Sequence, residues 1–140
     1  MGQYTSGRLQ LIMTRNVDYW APISSMECDE SVITVSRISG LVIVYSVVDY
    51  RILFTLEGRK AHCALVHAAL GRKVIVTIHQ GDQRTRIFNK SNGVLEYEGD
   101  TRCDASFQNQ LAVTNEDFVV FVEDLGRQLV ILAKTECGVW

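Results

Sequence analysis

The side chains in this sequence with the widest chemical options are its three histidines, His62, His67 and His79. Imidazole transfers protons near neutral pH and is a common metal ligand. A metal site needs two or three such ligands to converge. His67 and His79 lie at unequal distances from a turn near 71–73, and His62 falls in a connection. The spacing therefore predicts ordinary structural or exposed histidines and no metal.

Carboxylates could supply a general acid and a general base if two of them met in a cleft. In one cluster, Glu96 and Glu98 alternate with Leu95 and Tyr97, which predicts the water-facing side of an outer strand. Solvated faces and loop tips explain the other clusters equally well. Catalysis by paired carboxylates is therefore not predicted. The clusters are Glu27-Asp29-Glu30, Glu96-Glu98-Asp100, Glu116-Asp117 and Glu123-Asp124.

Nucleophilic and cofactor chemistry have no sequence motif here. The chain contains no G-x-S-x-G, phosphate-binding loop, G-x-G-x-x-G or H-E-x-x-H motif. Cysteines occur at 28, 63, 103 and 137 without C-x-x-C spacing. They could form two disulfides, but a chain of this length folds without covalent links, which favours four reduced, small apolar side chains. We expect no enzyme activity and no cofactor.

The composition predicts one domain, residues 1–140, with a substantial core: 47% of the residues are hydrophobic and 21% are charged. A formal net charge of −2 gives no general attraction to nucleic acid or to anionic membranes. No secretory leader pattern and no apolar run of roughly 20 residues is visible. We therefore predict an intracellular, cytoplasmic protein that does not enter membranes.

The elements that would position any site come from a repeated pattern. Residues 32–58, VITVSRISGLVIVYSVVDYRILFTLEG, form three β-branched runs separated by short polar breaks, which is typical of strands in a meander. Val44-Tyr45-Ser46 is matched 43 positions later by Ile87-Phe88-Asn89, and Leu53–Gly58 is matched at an offset of 41 by Val94–Gly99. A third copy follows at an offset of 44. Such a period predicts propeller blades at 23–57, 63–98 and 105–134, whose first strands are expected at 23–28, 63–70 and 105–113.

The stretches LVIVYSVVDYRILFTLEG and TRIFNKSNGVLEYEG resemble the last two strands of WD40 repeats, in which a run ending in Trp-Asp precedes a loop and another strand. The Trp-Asp position holds Tyr45-Ser46, Phe88-Asn89 and Leu132-Ala133 in the three copies. The hydrogen-bond network of typical WD40 blades is therefore not expected. The resemblance implies an all-β fold, a partial or oligomer-completed β-propeller of about three four-stranded antiparallel blades.

Three blades are too few to close a ring, since closed propellers use about 4–8. Their two end faces need cover from a longer propeller, a second copy or another subunit. A spare strand at residues 8–14, with the apolar residues Leu9, Leu11 and Met13, could complete the third blade or a partner's blade. The remaining alternative is a barrel or sandwich in which 8–14 is simply the first strand.

We predict a non-enzymatic protein–protein interaction scaffold that works as a complex subunit, with a protein partner or further copies of itself. The alternatives are a lectin-like small-ligand binder assembled as a homo-oligomeric propeller, and a ribonucleoprotein subunit. Basic residues on the predicted rim could contact phosphates, but the mixed charge there favours a protein partner over nucleic acid. Trp20 and Trp140 are candidate aromatic anchors. The predicted partner-binding rim residues are Arg37, Arg59, Lys60, His79, Asp82 and Arg102.

Overall fold

The computed structural model describes residues 11, 22–56, 66–79, 84–100, 111–123, 128–135 and 138–140. Every regular element among these residues is a β-strand, which confirms the predicted all-β class. No helix in the described ranges is long and apolar enough to span a membrane. The strands are β1 (Ile23–Cys28), β2 (Val32–Arg37), β3 (Val42–Ser46), β4 (Ile52–Leu56), β5 (Val66–Leu70), β6 (Val74–His79), β7 (Arg84–Asn89), β8 (Leu95–Asp100), β9 (Leu111–Val113), β10 (Val119–Glu123) and β11 (Gln128–Leu132).

The strands form three antiparallel meanders, in which neighbours in sequence are also neighbours in the sheet. Blade 1 has the order β1-β2-β3-β4 and blade 2 the order β5-β6-β7-β8. Blade 3 has the order β9-β10-β11, with three strands in the part of the chain that is described. Separate small meanders, rather than one continuous barrel, confirm the predicted partial β-propeller.

Two apolar cores lie between successive blades. In the first, Val32, Val44 and Leu56 of blade 1 pack against Ile75 and Phe88 of blade 2. Because side chains alternate along a strand, the neighbouring residues of blade 2 point the other way, toward blade 3. The second core joins Val74, Val76, Ile78 and Ile87 of blade 2 to Val119, Leu111, Val113, Val130 and Leu132 of blade 3.

The register of the strands repeats between blades. Val32 pairs with Ser46 in blade 1, and Val74 pairs with Asn89 in blade 2. The predicted offset of 43 between Ser46 and Asn89 is therefore confirmed. The Ser46 and Asn89 side chains each accept a hydrogen bond from the amide two residues later. Ser46 Oγ accepts from the Val48 amide at 3.1 Å, and Asn89 Oδ1 accepts from the Ser91 amide at 2.9 Å. A polar residue after the aromatic one thus starts the next turn.

The predicted offset of 41 for the last strand of the unit is wrong. Val44 pairs with Phe54, and Ile87 pairs with Tyr97, so Phe54 and Tyr97 are equivalent at the same offset of 43. Both blades carry a bulge immediately after these pairs. The bulge places one extra residue on the outer strand of both blades, so the pairing register, and not the Gly match of the sequence, sets the offset.

The predicted first strand of each unit is found where the structure describes it. β1 occupies the predicted segment 23–28, and β5 ends at the predicted Leu70. β9 covers the last three residues of the segment predicted at 105–113. Residues 63–65 and 105–110 lie outside the described ranges, as do Leu9 and Met13 of the predicted closing strand. Leu11 is described, is 82% exposed and is not part of a strand.

Candidate interaction surfaces

The hairpin turns of the blades open on two opposite rims. The near rim, as we call it, carries the turns at 29–31, 47–51, 71–73, 90–94 and 114–118, and the far rim carries the turn at 38–41, the end of β6 and the start of β7. Arg37 and His79 are the last residues of the equivalent strands β2 and β6, so both lie at the far rim. Arg59, Lys60, Asp82 and Arg102 lie outside the described residues. As partner contacts, all six stay predictions.

Arg37 is half-buried, and its Nε is enclosed without a hydrogen-bond partner among the described residues. Its backbone amide donates to the Leu41 carbonyl at 2.8 Å and closes the turn at 38–41. Part of the guanidinium group is therefore held within the blade. Fewer of its donors remain for a partner than the sequence suggested.

The near rim contains a bond between blades that the sequence did not reveal. Lys90 Nζ, in the third turn of blade 2, donates to Asp29 Oδ2 in the first turn of blade 1. The same ammonium donates to the Gly71 carbonyl at 2.9 Å. Lys90 thus joins the first turn of blade 1 to two turns of blade 2.

Asp29 is organised to receive that cation. Its Oδ1 accepts hydrogen bonds from the backbone amides of Ser31 at 2.8 Å and Val32 at 2.9 Å, and from the Ser31 hydroxyl at 2.9 Å. Burial raises the pKa of Asp29, but the Lys90 hydrogen bond and the Val32 and Ser31 donors outweigh it and lower the pKa to about 2. The carboxylate is therefore charged at neutral pH.

Blade 3 is tied to the same rim through Asp117. Its Oδ1 accepts a hydrogen bond from the Lys73 amide of blade 2 at 3.1 Å. Asp117 lies in the left-handed region with φ of 62°, which Asp tolerates better than most residues. One carboxylate at each of the two junctions thus fixes the first turns of successive blades relative to each other.

Two cavities open beside the Lys90 bridge. One, of about 540 Å³, is lined by the exposed Arg72 and Lys73 together with Ser31, Leu53 and Asn89. The other, of about 450 Å³, is lined by acidic Asp29 and Glu30 as well as by Arg72 and Lys90. They adjoin one another around one bridge and share Ser31, Arg72 and Lys90. Mixed charge and unequal linings distinguish them from a set of equivalent ligand pockets.

Blade 2 contains a buried arginine. Arg86 is 1% exposed, and its NH2 lies 3.5 Å from Glu98 Oε1, which also accepts a hydrogen bond from Arg84 NH1 at 3.0 Å. The prediction that Glu96 and Glu98 form a water-facing side is wrong, because both carboxylates are half-buried and paired. Glu96 binds Lys134 of blade 3 at 2.8 Å. The bulge between Leu95 and Tyr97 displaces Glu96 from the simple alternation that the prediction assumed.

The remaining candidates for chemistry are dispersed. In β5 and β6, His67 pairs with Ile78 and His79 pairs with Val66, so the two histidines are not directly opposed. Cys28 is an exposed, free thiol, and the other three cysteines lie outside the described ranges. No three His, Cys, Asp or Glu side chains within the described ranges form a metal-binding group.

Of the two predicted aromatic anchors, the structure describes Trp140. Trp140, predicted as a partner contact, packs instead against the core between blades 2 and 3. Its indole Nε1 is buried without a hydrogen-bond partner among the described residues. Trp20 lies outside the described ranges.

Blade 3 exposes large apolar side chains on β11 and beside β10. Leu129 is 65% exposed and Ile131 60% exposed, and Phe118, just before β10, is 39% exposed. These side chains share the face of blade 3 that points away from blade 2, because Val119, Val130 and Leu132 fill the opposite face. We call the face that points toward the following blade the trailing face, and the face toward the preceding blade the leading face.

No protein-family model matches the chain, and no curated protein matches it significantly. Solved WD40 β-propeller structures do match its fold. A chain of the mitotic checkpoint complex matches 75% of this chain with a TM-score of 0.60 and 17% identity. Kl Hsv2, with a loop replaced by a Gly-Ser linker, matches 85% with a TM-score of 0.56 and 16% identity. The β-propeller domain of Cps50 (Swd1) from Myceliophteria thermophila matches 81% with a TM-score of 0.51 and 12% identity.

This chain spans 33%, 38% and 40% of those three chains, respectively. At such low identity the similarity concerns the fold alone. Meander order, repeated register and stacked apolar cores agree with it. The chain therefore has the fold of a WD40-like β-propeller, of which it contains three successive blades.

Proposed function

We propose that the chain is a non-enzymatic protein–protein interaction module of the cytoplasm, a WD40-like propeller segment that serves as a subunit of a larger assembly. The observation that carries this proposal is the Lys90 bridge between Asp29 and the Gly71 carbonyl. Together with the two apolar cores, it keeps the turns of successive blades at fixed spacing. Blades held in this way present the far ends of their strands at fixed positions before a partner arrives, which reduces the entropy lost on binding.

The partner surface in this proposal is the far rim. The near rim already uses Lys90, Asp29 and Asp117 to hold the blades together. The far rim contains Arg37 and His79 at the ends of β2 and β6, and the sequence predicts the pair Arg59-Lys60 for the same rim. Charged and aromatic side chains on such rims steer a protein partner and fix its orientation. The mitotic checkpoint complex, which contains a structurally similar chain, is itself a multi-protein assembly and supports a role of this kind.

The test is quantitative co-purification of the tagged full chain with its binding proteins, compared between two double charge reversals. Arg59→Glu with Lys60→Glu alters a pair that the sequence predicts for the far rim, and the matched control, Arg72→Glu with Lys73→Glu, alters exposed cations of the near rim. We expect the far-rim variant to lose its main partner at least fivefold and the control to retain it, with equal melting temperatures. Retention by both variants, or loss in the control alone, would contradict the far-rim assignment.

The lectin-like alternative predicts equivalent pockets at each blade junction. The two cavities of about 540 and 450 Å³ share Ser31, Arg72 and Lys90 and lie at one junction. For the ribonucleoprotein alternative, Asp29 and Glu30 offset the cations beside the second cavity. Steep salt dependence of binding to single-stranded RNA would be the result in its favour.

A further inference from the structure

Blade 3 has an uncovered trailing face. Val120 of β10 pairs with Ile131 of β11 and with Ala112 of β9, and directly opposed residues share one face of a sheet. Leu129 and Phe118 lie on the same face by alternation. The face is apolar and exposed to solvent at Ala112, Phe118, Leu129 and Ile131.

The exposed residues of this face occupy positions that are buried against the next blade in blade 2. The Gly71 amide donates to the Val74 carbonyl in blade 2, and the Thr114 amide donates to the Phe118 carbonyl in blade 3, so Phe118 takes the place of Val74. By the same register, Ile131 takes the place of Ile87, since Leu132 pairs with Val119 as Phe88 pairs with Ile75. Val74 and Ile87 are buried beneath blade 3, whereas Phe118 and Ile131 have no such cover.

The surface that covers a trailing face within the chain is always the leading face of the next blade. Ile75 and Phe88 of blade 2 cover blade 1, and Val119 and Leu132 of blade 3 cover blade 2. Blade 1 also has a leading face, where Ile33 and Tyr45 take the positions of Ile75 and Phe88. The chain thus carries the two halves of a blade-to-blade contact at its opposite ends.

The open part of the blade 1 leading face lies along β1. Met26 pairs with Val35 and Cys28 pairs with Ile33, so Met26 and Cys28 share this face. Met26 is 62% exposed and Cys28 is exposed. Val35 and Ile43, farther from this edge, are already buried. A docking blade would therefore meet the side of the face formed by β1.

We propose that the trailing face of blade 3 docks on the leading face of blade 1 of a second copy of this chain, and that two copies close head to tail. Two copies give six blades, within the range of about 4–8 found in closed propellers. A head-to-tail contact that closes after two copies forms a symmetric ring, whereas one that does not close forms filaments. The inference rests on the repeat register and is independent of the far-rim contacts proposed above.

The first test measures the mass of the purified chain by light scattering. We expect two chains per particle, and a shift toward one chain, by about tenfold or more in the dissociation constant, for Ile131→Asp and for Leu129→Asp. Val48→Asp, at an exposed turn position, is the matched control and should leave the pair intact. Circular dichroism and melting temperature establish that each variant is folded. A wild-type monomer, open filaments, or equal masses in all variants would overturn the proposal.

The second test distinguishes head-to-tail docking from face-to-face docking of two blade 3 surfaces. In the chain itself, β5 lies against β1 and β2, so β1 of a second copy should lie against β9 and β10. Ala112→Cys should therefore form a covalent dimer through Cys28 with a short bis-maleimide, above the wild-type background. Adding Cys28→Ala should abolish that dimer. A covalent dimer that persists in the double variant would overturn the head-to-tail arrangement.

Discussion

Asp29 of blade 1 and Lys90 of blade 2 form an ion pair across a blade junction, although 61 positions separate them in the sequence. The Lys90 side chain is 10% exposed and the Asp29 side chain 28% exposed, so water screens the pair only in part. Since the ammonium also binds the Gly71 carbonyl, its removal would leave two acceptors without their donor. The pair is therefore a partly buried contact that links two blades, unlike an ion pair on the open surface.

Replacing Lys90 with methionine tests this bond, because methionine keeps most of the apolar stem and removes the charge. We expect the free energy of unfolding in urea to fall by about 1–3 kcal/mol, since a partly buried carboxylate loses its cation. The control is Arg51→Met, which removes the more exposed Arg51–Asp49 pair at 3.1 Å and should cost less than about 0.5 kcal/mol. Equal losses in the two variants would show that the Lys90 bridge has no special weight.

Acid should weaken the junction through Asp29. Burial raises the pKa of this carboxyl, but its hydrogen bonds, led by that from Lys90, bring it down to about 2 from its usual 3.8. Because the folded pKa is the lower one, the stabilisation is complete above pH 3.8 and is lost as the pH falls toward 2. Asp29→Asn should therefore be less stable than the wild type at pH 6, with the difference shrinking at pH 2. Urea midpoints measured across this range would contradict the idea if the difference were constant.

Much of the fold could be predicted because its signals are local. The β-branched runs and the turn residues after Tyr45 and Phe88 recur at a fixed spacing, and each acts on neighbours a few positions away. Ser46 and Asn89 start equivalent turns even though neither is the aspartate of a typical WD40 repeat. A short polar side chain with a free oxygen is sufficient there. The predicted offset of 41 for the outer strand was wrong because it was set by aligning two Gly residues. The true offset follows from the pairing register, which cannot be seen in a local sequence pattern.

The contacts between blades could not be predicted in the same way. No sequence feature pairs Lys90 with Asp29. Arg86 occupies the position that Ile43 has in blade 1, but an arginine, unlike an isoleucine, is expected to be exposed because it is charged. Such bonds depend on how two sheets stack, and stacking brings together residues far apart in the chain. Of the six predicted rim residues, Arg37 and His79 fall within the described ranges, and all six stay predictions as partner contacts.

The buried Arg86 makes blade 2 sensitive to loss of its counter-ion. Glu98→Ala removes a carboxylate that lies 3.5 Å from Arg86 NH2, and we expect a loss of about 2–4 kcal/mol in the free energy of unfolding. Adding Arg86→Met should restore part of it, because methionine fills similar space without a charge. The comparison variant is Glu96→Ala, which breaks the more exposed pair with Lys134 and should cost less than about 1 kcal/mol. No recovery in the double variant would contradict this account.

Gly71 is the position at which blade 3 approaches blade 2 most closely on the near rim. A Cβ at this site would lie 2.7 Å from Val113 Cγ1 and 2.9 Å from Val74 Cγ2, and would also press on Asp117 Oδ1. We expect Gly71→Ala to lower the free energy of unfolding by about 1–3 kcal/mol, because the packed side chains of Val113, Val74 and Asp117 must shift to make room. Hydrogen exchange should accelerate at the amides of β9 and remain slow in β2 of blade 1.

The control for Gly71→Ala is Gly138→Ala. Gly138 has φ of 81°, so alanine is strained there, but the nearest atom to its Cβ is Lys134 Cε at 3.6 Å. This variant should lose about 1 kcal/mol from backbone strain without crowding the junction. Faster exchange in β9 should therefore be specific to Gly71→Ala. If both variants accelerated exchange in β9 to the same extent, close approach at Gly71 would not be what holds blade 3 in place.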